Sequence, residues 1–456
     1  MPSSVFDSFY FKDRFGTAAM RALWSDRATI TRWLEVEAAL ASVQADLGLV
    51  PEKAAKEIAR KARIENLDLR SMKRGFDRTW NPVVPLLDEL RKKLGPEAKG
   101  VLHWGATSKN IFDTGLVLQI KDSYELLLAH LWTVADRLAA IAEEHRGTLM
   151  AGRTHGQHAL PVTFGFKAAV WLDEILRHEE RLEESRSRVL VGEFGGAVGT
   201  LASLGGRGLQ VEERLMERLG LGVAAVPVKT AGDRIAEFAL LVSMLSATLG
   251  KIAQNIYNLQ QTDIDEVAEC TEGKIGSSAM PHKQNPVASG SVVLLGRLLR
   301  ANAIPALDYI HAEGEDDHRQ GETAWKFVPE ICLLADAQLA LTSRLFGSLV
   351  VKPENMKRNV ERELGFLCSE SLLMKLSSTV GREQAHELVR DLCDDAREKG
   401  RPLGEVASEN SIVSRSLSAA ELSSCLAPED YLGETTKLVN RVLSSYRKRR
   451  KTRKRP

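Results

Sequence analysis

Residues 235–260 read IAEFALLVSMLSATLGKIAQNIYNLQ, and this stretch decides the fold. Its apolar side chains recur at alternating intervals of four and three residues, at Phe238, Val242, Leu245, Leu249, Ile252, Ile256 and Leu259. This heptad pattern predicts one long helix with an apolar seam that packs along neighbouring helices. At about 1.5 Å per residue, the helix would be roughly 40 Å long.

Similar helical patterns fill the middle of the chain, at residues 115–144, 164–191, 287–303 and 329–347. Small side chains also flank the seam of 235–260, which predicts that several helices pack against it, including helices of other subunits. We therefore predict an all-α fold built around a bundle of long helices. Its expected parts are an N-terminal helical cap (1–109), the central bundle (110–350), a C-terminal helical domain (351–445) and a basic, disordered tail (446–456).

The charges are unevenly distributed along the chain. The formal net charge is +1, yet eight of the last ten residues are Lys or Arg, so the remainder is mildly acidic. A basic tail can bind nucleic acid or an anionic surface, but a solvated terminus is the simpler interpretation. Nucleic-acid binding through 447–455 is therefore an alternative that nothing else in the sequence favours.

The cysteines and the N-terminus indicate the cellular compartment. The five cysteines form no C-x-x-C pair, which argues against a disulfide framework or a zinc site and favours a reducing environment. Charged residues interrupt residues 1–15, unlike in a signal peptide, and the uncharged run 238–250 is too short to span a bilayer. We predict a soluble, cytoplasmic protein.

Three polar, glycine-containing segments contain the candidate functional residues, and the first, 273–286, reads GKIGSSAMPHKQNP. The glycines favour a loop that moves, and Pro286 suits the first turn of the following helix. A helix N-terminus favours an anion. The side chains that the loop would present there are Ser277, Ser278, Lys283 and Asn285. Taken alone, the segment also fits a surface loop with serine caps.

Within this loop, the run GSSxMPxKxNP at 276–286 resembles the signature of the aspartase/fumarase superfamily. The resemblance implies that Ser277 is the base. It implies that Lys283 and Asn285 bind the carboxylate whose charge grows in the transition state. Ser278 and Met280 belong to the same run, and we predict that both contact the substrate.

The second segment, 152–159, reads GRTHGQHA. Its two histidines could be a metal pair or capping groups, but no third ligand lies at a helical spacing. The segment resembles the T-H-G-x-H-A stretch of adenylosuccinate lyases and bacterial 3-carboxy-cis,cis-muconate cycloisomerases. That resemblance implies that His155 is the general acid and Thr154 a substrate ligand, and we add Gln157 as a predicted substrate-binding residue.

The third segment, 103–114, reads HWGATSKNIFDT and resembles the H-x-G-x-T-S-x-D-x-x-D-T stretch of the same branch. The resemblance implies that Thr107 and Ser108 hold a substrate carboxylate, and we predict His103 as a further substrate-binding residue. Asn110 replaces the usual first aspartate. Read alone, the Thr-Ser pair is an ordinary helix N-cap.

These groups suit proton removal next to a carboxylate. That step places two negative charges on one carboxyl group, which preorganised donors such as Lys283, Asn285 and helix-terminal amides would stabilise. A serine hydroxyl acts as a base only where its oxyanion is stabilised in a closed, dry loop. A histidine protonates the leaving group near neutral pH. Such an elimination requires no cofactor or metal, and no dinucleotide or P-loop motif is present in the sequence.

The resemblance covers residues 14 to about 443 and implies a homotetramer around a twenty-helix bundle, with active sites assembled from three subunits. It implies a small polycarboxylate substrate. The sequence itself favours neither a membrane nor a nucleic-acid partner. The chain lacks four groups that adenylosuccinate lyases use to hold a nucleotide, at Phe15, Trp80-Asn81-Pro82, Ala231-Gly232 and Trp325. Each missing partner would cost roughly 1–3 kcal/mol of binding.

The predicted function is therefore a lyase that cleaves a C–N or C–O bond by β-elimination in a succinate-like polycarboxylate and releases fumarate, or that catalyses the reverse addition. One alternative is 3-carboxy-cis,cis-muconate cycloisomerase, which the segments 81–85 and 427–433 resemble. Others are adenylosuccinate lyase and, in a different class, a non-catalytic, crystallin-like structural protein. Asp316 and Asp317 could bind a basic group on the substrate or belong to a solvated turn.

Overall fold

A computed structural model describes residues 4–227, 229–269, 277 and 279–453. Within these residues the protein is mainly helical with two small antiparallel sheets, which confirms the predicted helical fold. The backbone divides into two compact units. The first contains Met1–Leu131, His178–Gly250 and Val292–Leu341, and the second contains Trp132–Arg177, Lys251–Ser291 and Thr342–Pro456. The division into three consecutive domains stays a prediction.

The N-terminal part of the chain forms α1 (Lys12–Phe15), α2 (Ala18–Leu23), α3 (Asp26–Asp46), α4 (Glu52–Lys61), α5 (Leu69–Thr79), α6 (Val83–Arg91) and α7 (Pro96–Val101). The middle of the chain forms α8 (Ser108–Glu144), β1 (Leu149–Thr154), β2 (Gln157–Thr163), α9 (Phe164–Val189), α10 (Gly208–Leu219), α11 (Asp233–Leu259), β3 (Val267–Glu269), α12 (Val287–Ala303), α13 (Pro305–Asp308), α14 (His318–Gly347) and β4 (Leu349–Val351). The remainder forms α15 (Pro353–Glu361), α16 (Ser369–Val380), α17 (Arg382–Lys399), α18 (Leu403–Glu409), α19 (Ser411–Ser416), α20 (Ala419–Cys425) and α21 (Thr435–Arg453).

The helix predicted from the heptad pattern is α11. All seven side chains of its seam are at most 5% exposed to solvent, as the seam requires. In the second unit, helices α16–α20 pack around a separate apolar cluster that includes Leu376, Leu392 and Leu403. Strands β1 and β2 form an antiparallel hairpin, and β3 pairs with β4.

Helix α14 begins eleven residues before the predicted start, at His318 rather than Pro329. Proline is common in the first turn of a helix, so the pattern placed the start there. A proline inside a helix costs about 3 kcal/mol. Phe327 and Val328, just before it, are at most 1% exposed, and burial of such side chains stabilises the longer helix by roughly 1.5–3 kcal/mol each.

The basic tail differs from the predicted disordered segment, because α21 is helical up to Arg453. The Arg450 guanidinium lies 2.9 Å from the Asp136 carboxylate, and that of Arg447 lies 2.6 Å from Glu143. Both acids are on α8, about three hundred residues away in the sequence, and pairing with them reduces the mutual repulsion of the tail.

Two helical stretches, Asp233–Leu259 and Val287–Asp308, are long and apolar enough to cross a membrane by length and composition alone. Half of the most apolar window of the first is buried inside the protein. A core helix of a folded domain has this property, so the two stretches are weak indications of a membrane span.

Candidate active site

In the signature loop, the run 276–286, backbone N–H groups donate hydrogen bonds to the side-chain oxygen of Ser277. Ser277 Oγ accepts hydrogen bonds from the backbone N–H groups of Ala279 (3.3 Å) and Met280 (3.0 Å). The Ser277 N–H donates to the carbonyl of Lys283 at 3.3 Å. Donors aimed at Oγ favour its ionised form over the neutral hydroxyl. Bonds of this kind also occur in an ordinary serine cap, so the role of Ser277 as the base stays a prediction.

Lys283 is exposed, and its ammonium forms no ion pair with any residue that the structure describes. Met280 is 42% exposed, and Asn285 is half-buried. The positive charge is thus available to a carboxylate of a ligand. Gly273, Gly276 and Ser278 lie outside the described residues, so the hinge and the role of Ser278 stay predictions.

The amides that begin α12 are occupied by the protein itself. The Glu269 carboxylate accepts hydrogen bonds from the N–H groups of Ala288 (2.8 Å) and Ser289 (2.9 Å) and from Gln260 Nε2 (3.1 Å). An acidic side chain at a helix N-terminus is favourable. The expectation that helix-terminal amides bind the substrate is therefore wrong for these two groups, because Glu269 takes them.

His155 lies at the tip of the β1–β2 hairpin. His155 and Gly156 form its two-residue turn with φ angles of 51° and 79°, and two positive φ angles are typical of a type I′ turn. A left-handed histidine is uncommon and costs conformational energy. The turn leaves Thr154, His155 and Gln157 exposed, so the three predicted residues of this segment share the hairpin tip.

A buried ion pair anchors the hairpin. The Arg153 guanidinium binds both carboxylate oxygens of Glu266, at 2.9 and 2.7 Å, and Asn359 Nδ2 donates to Glu266 at 3.0 Å. The Glu266 side chain is fully buried. His158 Nδ1 lies 2.8 Å from Glu363 Oε1. Sequence reasoning missed Arg153, although an arginine beside the histidine motif is a signal that could have identified it.

The third segment forms the first turn of α8. The Thr107 N–H donates to Asn110 Oδ1 at 2.9 Å, so Asn110 binds the backbone of the turn. Ser108 Oγ accepts a hydrogen bond from Asn81 Nδ2 at 3.0 Å. The Thr107 hydroxyl has no hydrogen-bond partner among the described residues, and it does not act as the N-cap. That hydroxyl is available to a ligand, and its binding of a carboxylate stays a prediction.

His103 precedes this turn in a left-handed conformation, with a φ of 63°. Its Nδ1 lies 2.6 Å from Oε1 of Glu37, and the Glu37 side chain is only 1% exposed. A buried carboxylate therefore orients the imidazole. Contact between His103 and substrate stays a prediction.

A buried polar network lies beneath the turn. Asn110 Nδ2 donates to Glu193 Oε2, and the Thr114 hydroxyl bonds the backbone N–H (2.9 Å) and carbonyl (2.8 Å) of Glu193. Burial raises the pKa of Glu193 to about 7. The replacement of the usual aspartate by Asn110 thus has a physical reason. An amide donates to Glu193, whereas an aspartate would repel it.

Three acids of the first unit, Asp113, Asp316 and Asp317, each have a cation partner. Lys109 Nζ lies 2.9 Å from Asp113, and burial raises the pKa of Asp113. Lys229 Nζ lies 2.8 Å from Asp316. Asp317 is 5% exposed and accepts two bonds from Arg319, at 2.9 and 2.7 Å. Asp316 and Asp317 are therefore already paired within the chain, which does not support binding of a basic substrate group.

Known proteins share this arrangement of sequence and fold. A family model described as lyase matches residues 14–297, and one described as adenylosuccinate lyase C-terminus matches residues 365–442. N-acetyl-S-(2-succino)cysteine lyase of Enterococcus italicus is 38% identical over 98% of this chain and 98% of its own. Adenylosuccinate lyase of Methanothermobacter thermautotrophicus is 38% identical over 95% of this chain and 98% of its own.

Among solved structures, the 3-carboxy-cis,cis-muconate lactonizing enzyme of Pseudomonas putida matches with a TM-score of 0.90 and 34% identity, covering 97% of this chain and 99% of that one. The matched signature loop, hairpin and α8 turn are the segments that carry the predicted residues. This chain therefore belongs to the aspartase/fumarase superfamily of lyases, in the branch of adenylosuccinate lyase and carboxymuconate cycloisomerase.

Proposed function

We propose that this lyase acts on a 2-succino compound, a succinate with a heteroatom on its second carbon, and releases fumarate. The base removes a proton from the carbon next to one carboxylate. The C–heteroatom bond then breaks as the C=C bond forms, and the leaving heteroatom takes a proton from a general acid. The observation that carries this proposal is the pair of amide donors to Ser277 Oγ.

In this proposal each predicted residue has a role. Ser277 is the base, His155 is the general acid, and Lys283 with Asn285 stabilises the doubly charged carboxylate. Thr107 and Ser108 hold the other carboxylate. The Thr107 hydroxyl has no hydrogen-bond partner among the described residues and can donate to it. The remaining contacts with substrate come from His103, Thr154, Gln157, Ser278 and Met280.

The sequence and the comparisons point to different heteroatoms as the leaving atom. The sequence predicts C–N or C–O cleavage, whereas the name of the Enterococcus relative describes a succinylated thiol. We therefore propose sulfur as the leaving atom, with nitrogen as the next choice. A thiolate leaves more readily than an alkoxide, which reduces the demand on the general acid.

We also propose a cytoplasmic homotetramer whose active sites are shared between subunits. Large apolar side chains are exposed on the first unit at Leu240 (40%), Met244 (45%), Leu294 (41%), Ile304 (66%) and Leu307 (58%). These side chains lie on α11, on α12 and at the short helix α13, and exposed apolar surface of this kind is typical of surfaces that other subunits cover.

A second candidate is the cycloisomerase reaction, in which a carboxylate adds to a double bond of a carboxymuconate. The contact between Asn81 and Ser108 favours it, since the 81–85 run resembles that enzyme and here reaches the predicted carboxylate site. The addition is the reverse of a C–O elimination: a carboxylate oxygen bonds to one carbon of the double bond, and the protonated form of the group that serves as base in the elimination delivers the proton to the other carbon. It would use the same carboxylate site.

The test is a panel of substrates followed by absorbance: N-acetyl-S-(2-succino)cysteine, an N-succino amino acid, adenylosuccinate and 3-carboxy-cis,cis-muconate. We expect fumarate from the thioether, with about 10²–10³-fold lower kcat/KM in Lys283→Met, because an oxyanion partner is lost. The control is Lys53→Met, which removes an exposed lysine of α4. Lactone formation without fumarate would favour the cycloisomerase, and inertness towards all four compounds by an intact tetramer would favour a structural protein.

A further inference from the structure

A cavity of about 430 Å³ lies in the first unit beside the start of α8. Five half-buried aromatic side chains line it, namely Trp24, Trp33, Phe76, Phe112 and Trp325. Three of the seven tryptophans of the protein thus surround one space, in a chain with only 6% aromatic residues. We call this space the aromatic cavity. Its volume suits part of a small molecule.

Two polar groups in the wall of the aromatic cavity, Trp24 Nε1 and Gln119 Nε2, are bound to other protein groups. Trp24 Nε1 donates to Ser123 Oγ at 3.1 Å. Gln119 Nε2 donates to the Leu23 carbonyl at 2.8 Å and to Thr29 Oγ1 at 2.9 Å. A polar ligand would have to compete with these bonds, and most of the remaining wall is aromatic or aliphatic, so the wall favours apolar groups with aromatic or alkyl surfaces.

The charges at the cavity are equally unsuited to a phosphate. The ammonium of Lys73, which lines the cavity, is paired with the Asp77 carboxylate. Asp26 also lines it and is exposed, and its negative charge would repel an anion. The cavity therefore favours a neutral, apolar group over a nucleotide monophosphate.

The aromatic cavity lies next to the predicted carboxylate site at Ser108. Phe112 lies four residues after Ser108 on α8, on the same helix face and about 6 Å further along the axis. Asn81 donates a hydrogen bond to Ser108, and Pro82, which follows Asn81 in the chain, also lines the cavity. A substrate whose carboxylate binds at Ser108 reaches the aromatic walls with only a few further bonds.

We propose that the aromatic cavity binds the apolar end of the leaving group of a 2-succino substrate, such as an aryl or alkyl group attached to the leaving heteroatom. This inference rests on the proposed function, because it takes Ser108 as the site of the succinate carboxylate. It makes Phe76 and Trp325 specificity-determining residues that contact the leaving group and take no part in proton transfer.

The experiment compares 2-(benzylthio)succinate with 2-(methylthio)succinate. Fumarate release is measured by absorbance, and equilibrium binding is measured by calorimetry in a Ser277→Ala background, in which the cavity is that of the wild type and neither compound should be consumed. The wild-type cavity should bind the benzyl compound at least about tenfold more tightly, because it buries the additional apolar surface. In Phe76→Leu and Trp325→Ala the benzyl compound should bind about tenfold more weakly and the methyl compound equally well. The control Phe9→Ala, at an aromatic residue that is 89% exposed, should leave both unchanged.

Equal affinity of the wild-type cavity for the two compounds, or an equal loss of both in the cavity variants with unchanged melting temperature, would overturn the inference. Failure of the proposed function has a different signature. In that case neither compound releases fumarate, while the preference for benzyl and its loss in the variants persist. Release of fumarate from both compounds at equal kcat/KM and affinity would support the lyase and reject the aromatic subsite.

Discussion

Asn110 and Glu193, 83 residues apart in the sequence, are joined by a fully buried hydrogen bond beneath the first turn of α8. The same Asn110 side chain accepts the N–H of Thr107. One amide thus connects a buried carboxyl group to the backbone of the predicted carboxylate site. The bond requires a donor at position 110, so the departure from the usual aspartate is part of a consistent local structure.

Asn110→Asp should destabilise the protein, and more so at higher pH. Two facing carboxyl groups raise each other's pKa, so one of them holds a proton at low pH and gives it up as the pH rises. We expect an apparent loss of roughly 1–3 kcal/mol at pH 8 and a smaller loss at pH 5.5, from thermal unfolding. Asn410→Asp is the control, because Asn410 caps α19 through Oδ1 and aspartate caps equally well. Equal losses at both pH values would contradict the prediction.

Glu193→Gln should flatten the pH dependence of stability between pH 4.5 and 7. Burial raises the pKa of Glu193 from 4.5 to about 7, so the folded state holds this proton more strongly than the unfolded state. The stabilisation is complete below about 4.5 and is lost as the pH rises to about 7, by about 3 kcal/mol for one such group.

Glutamine still accepts the bond from Asn110 but does not titrate. The melting temperature of Glu193→Gln should therefore fall less than that of the wild type as the pH rises, whereas Glu387→Gln, at an exposed residue of α17, should follow the wild type. Parallel curves for wild type and Glu193→Gln would show that Glu193 does not titrate in this window.

Arg153→Met should release the His155 hairpin. It would leave the fully buried Glu266 with a hydrogen bond from Asn359 and with Lys167 as a nearby cation, and breaking a buried pair typically costs 3–5 kcal/mol. We expect a lower melting temperature together with a fall in kcat. Arg362→Met, at an exposed residue next to α15, is the control. A variant with full activity would show that the anchor does not position His155.

The sequence predicts local features of this protein well and distant partners poorly. The heptad spacing alone identifies α11, because one buried helix face imposes that spacing along a continuous stretch. The hairpin at 149–163 was not predicted as strands. Its short strands are stabilised by each other and by Arg153 binding to Glu266, 113 residues away.

Contacts between distant segments also explain what the sequence did not predict at the candidate site. The three motifs name the residues of the loop, the hairpin tip and the α8 turn, since each motif is contiguous. That Glu269 occupies the amides of α12, and that Glu193 binds Asn110, depends on folding that brings separate segments together. The spacing of residues along a single sequence does not predict such contacts.

Arg450→Gln should destabilise α21, because the guanidinium pairs with Asp136 and lies over the Trp132 ring, 5.4 Å from its centroid. We expect an apparent loss of about 1 kcal/mol in thermal unfolding, since the ion pair is partly solvated. Lys448→Gln removes the same charge from an exposed side chain and should have no effect. If both variants instead lose RNA retention equally and keep their stability, the tail is a nucleic-acid surface.

Ser277→Ala is the decisive variant, with turnover and ligand binding measured on the same preparation and Ser414→Ala, at an exposed serine of α19, as control. If Ser277 is the base, turnover should fall by several orders of magnitude, while a dicarboxylate ligand binds nearly as well as to the wild type, because the hydroxyl acts in the transition state. A variant that keeps more than about a tenth of the rate has lost less than ~1.4 kcal/mol of transition-state stabilisation, and the base would then lie elsewhere.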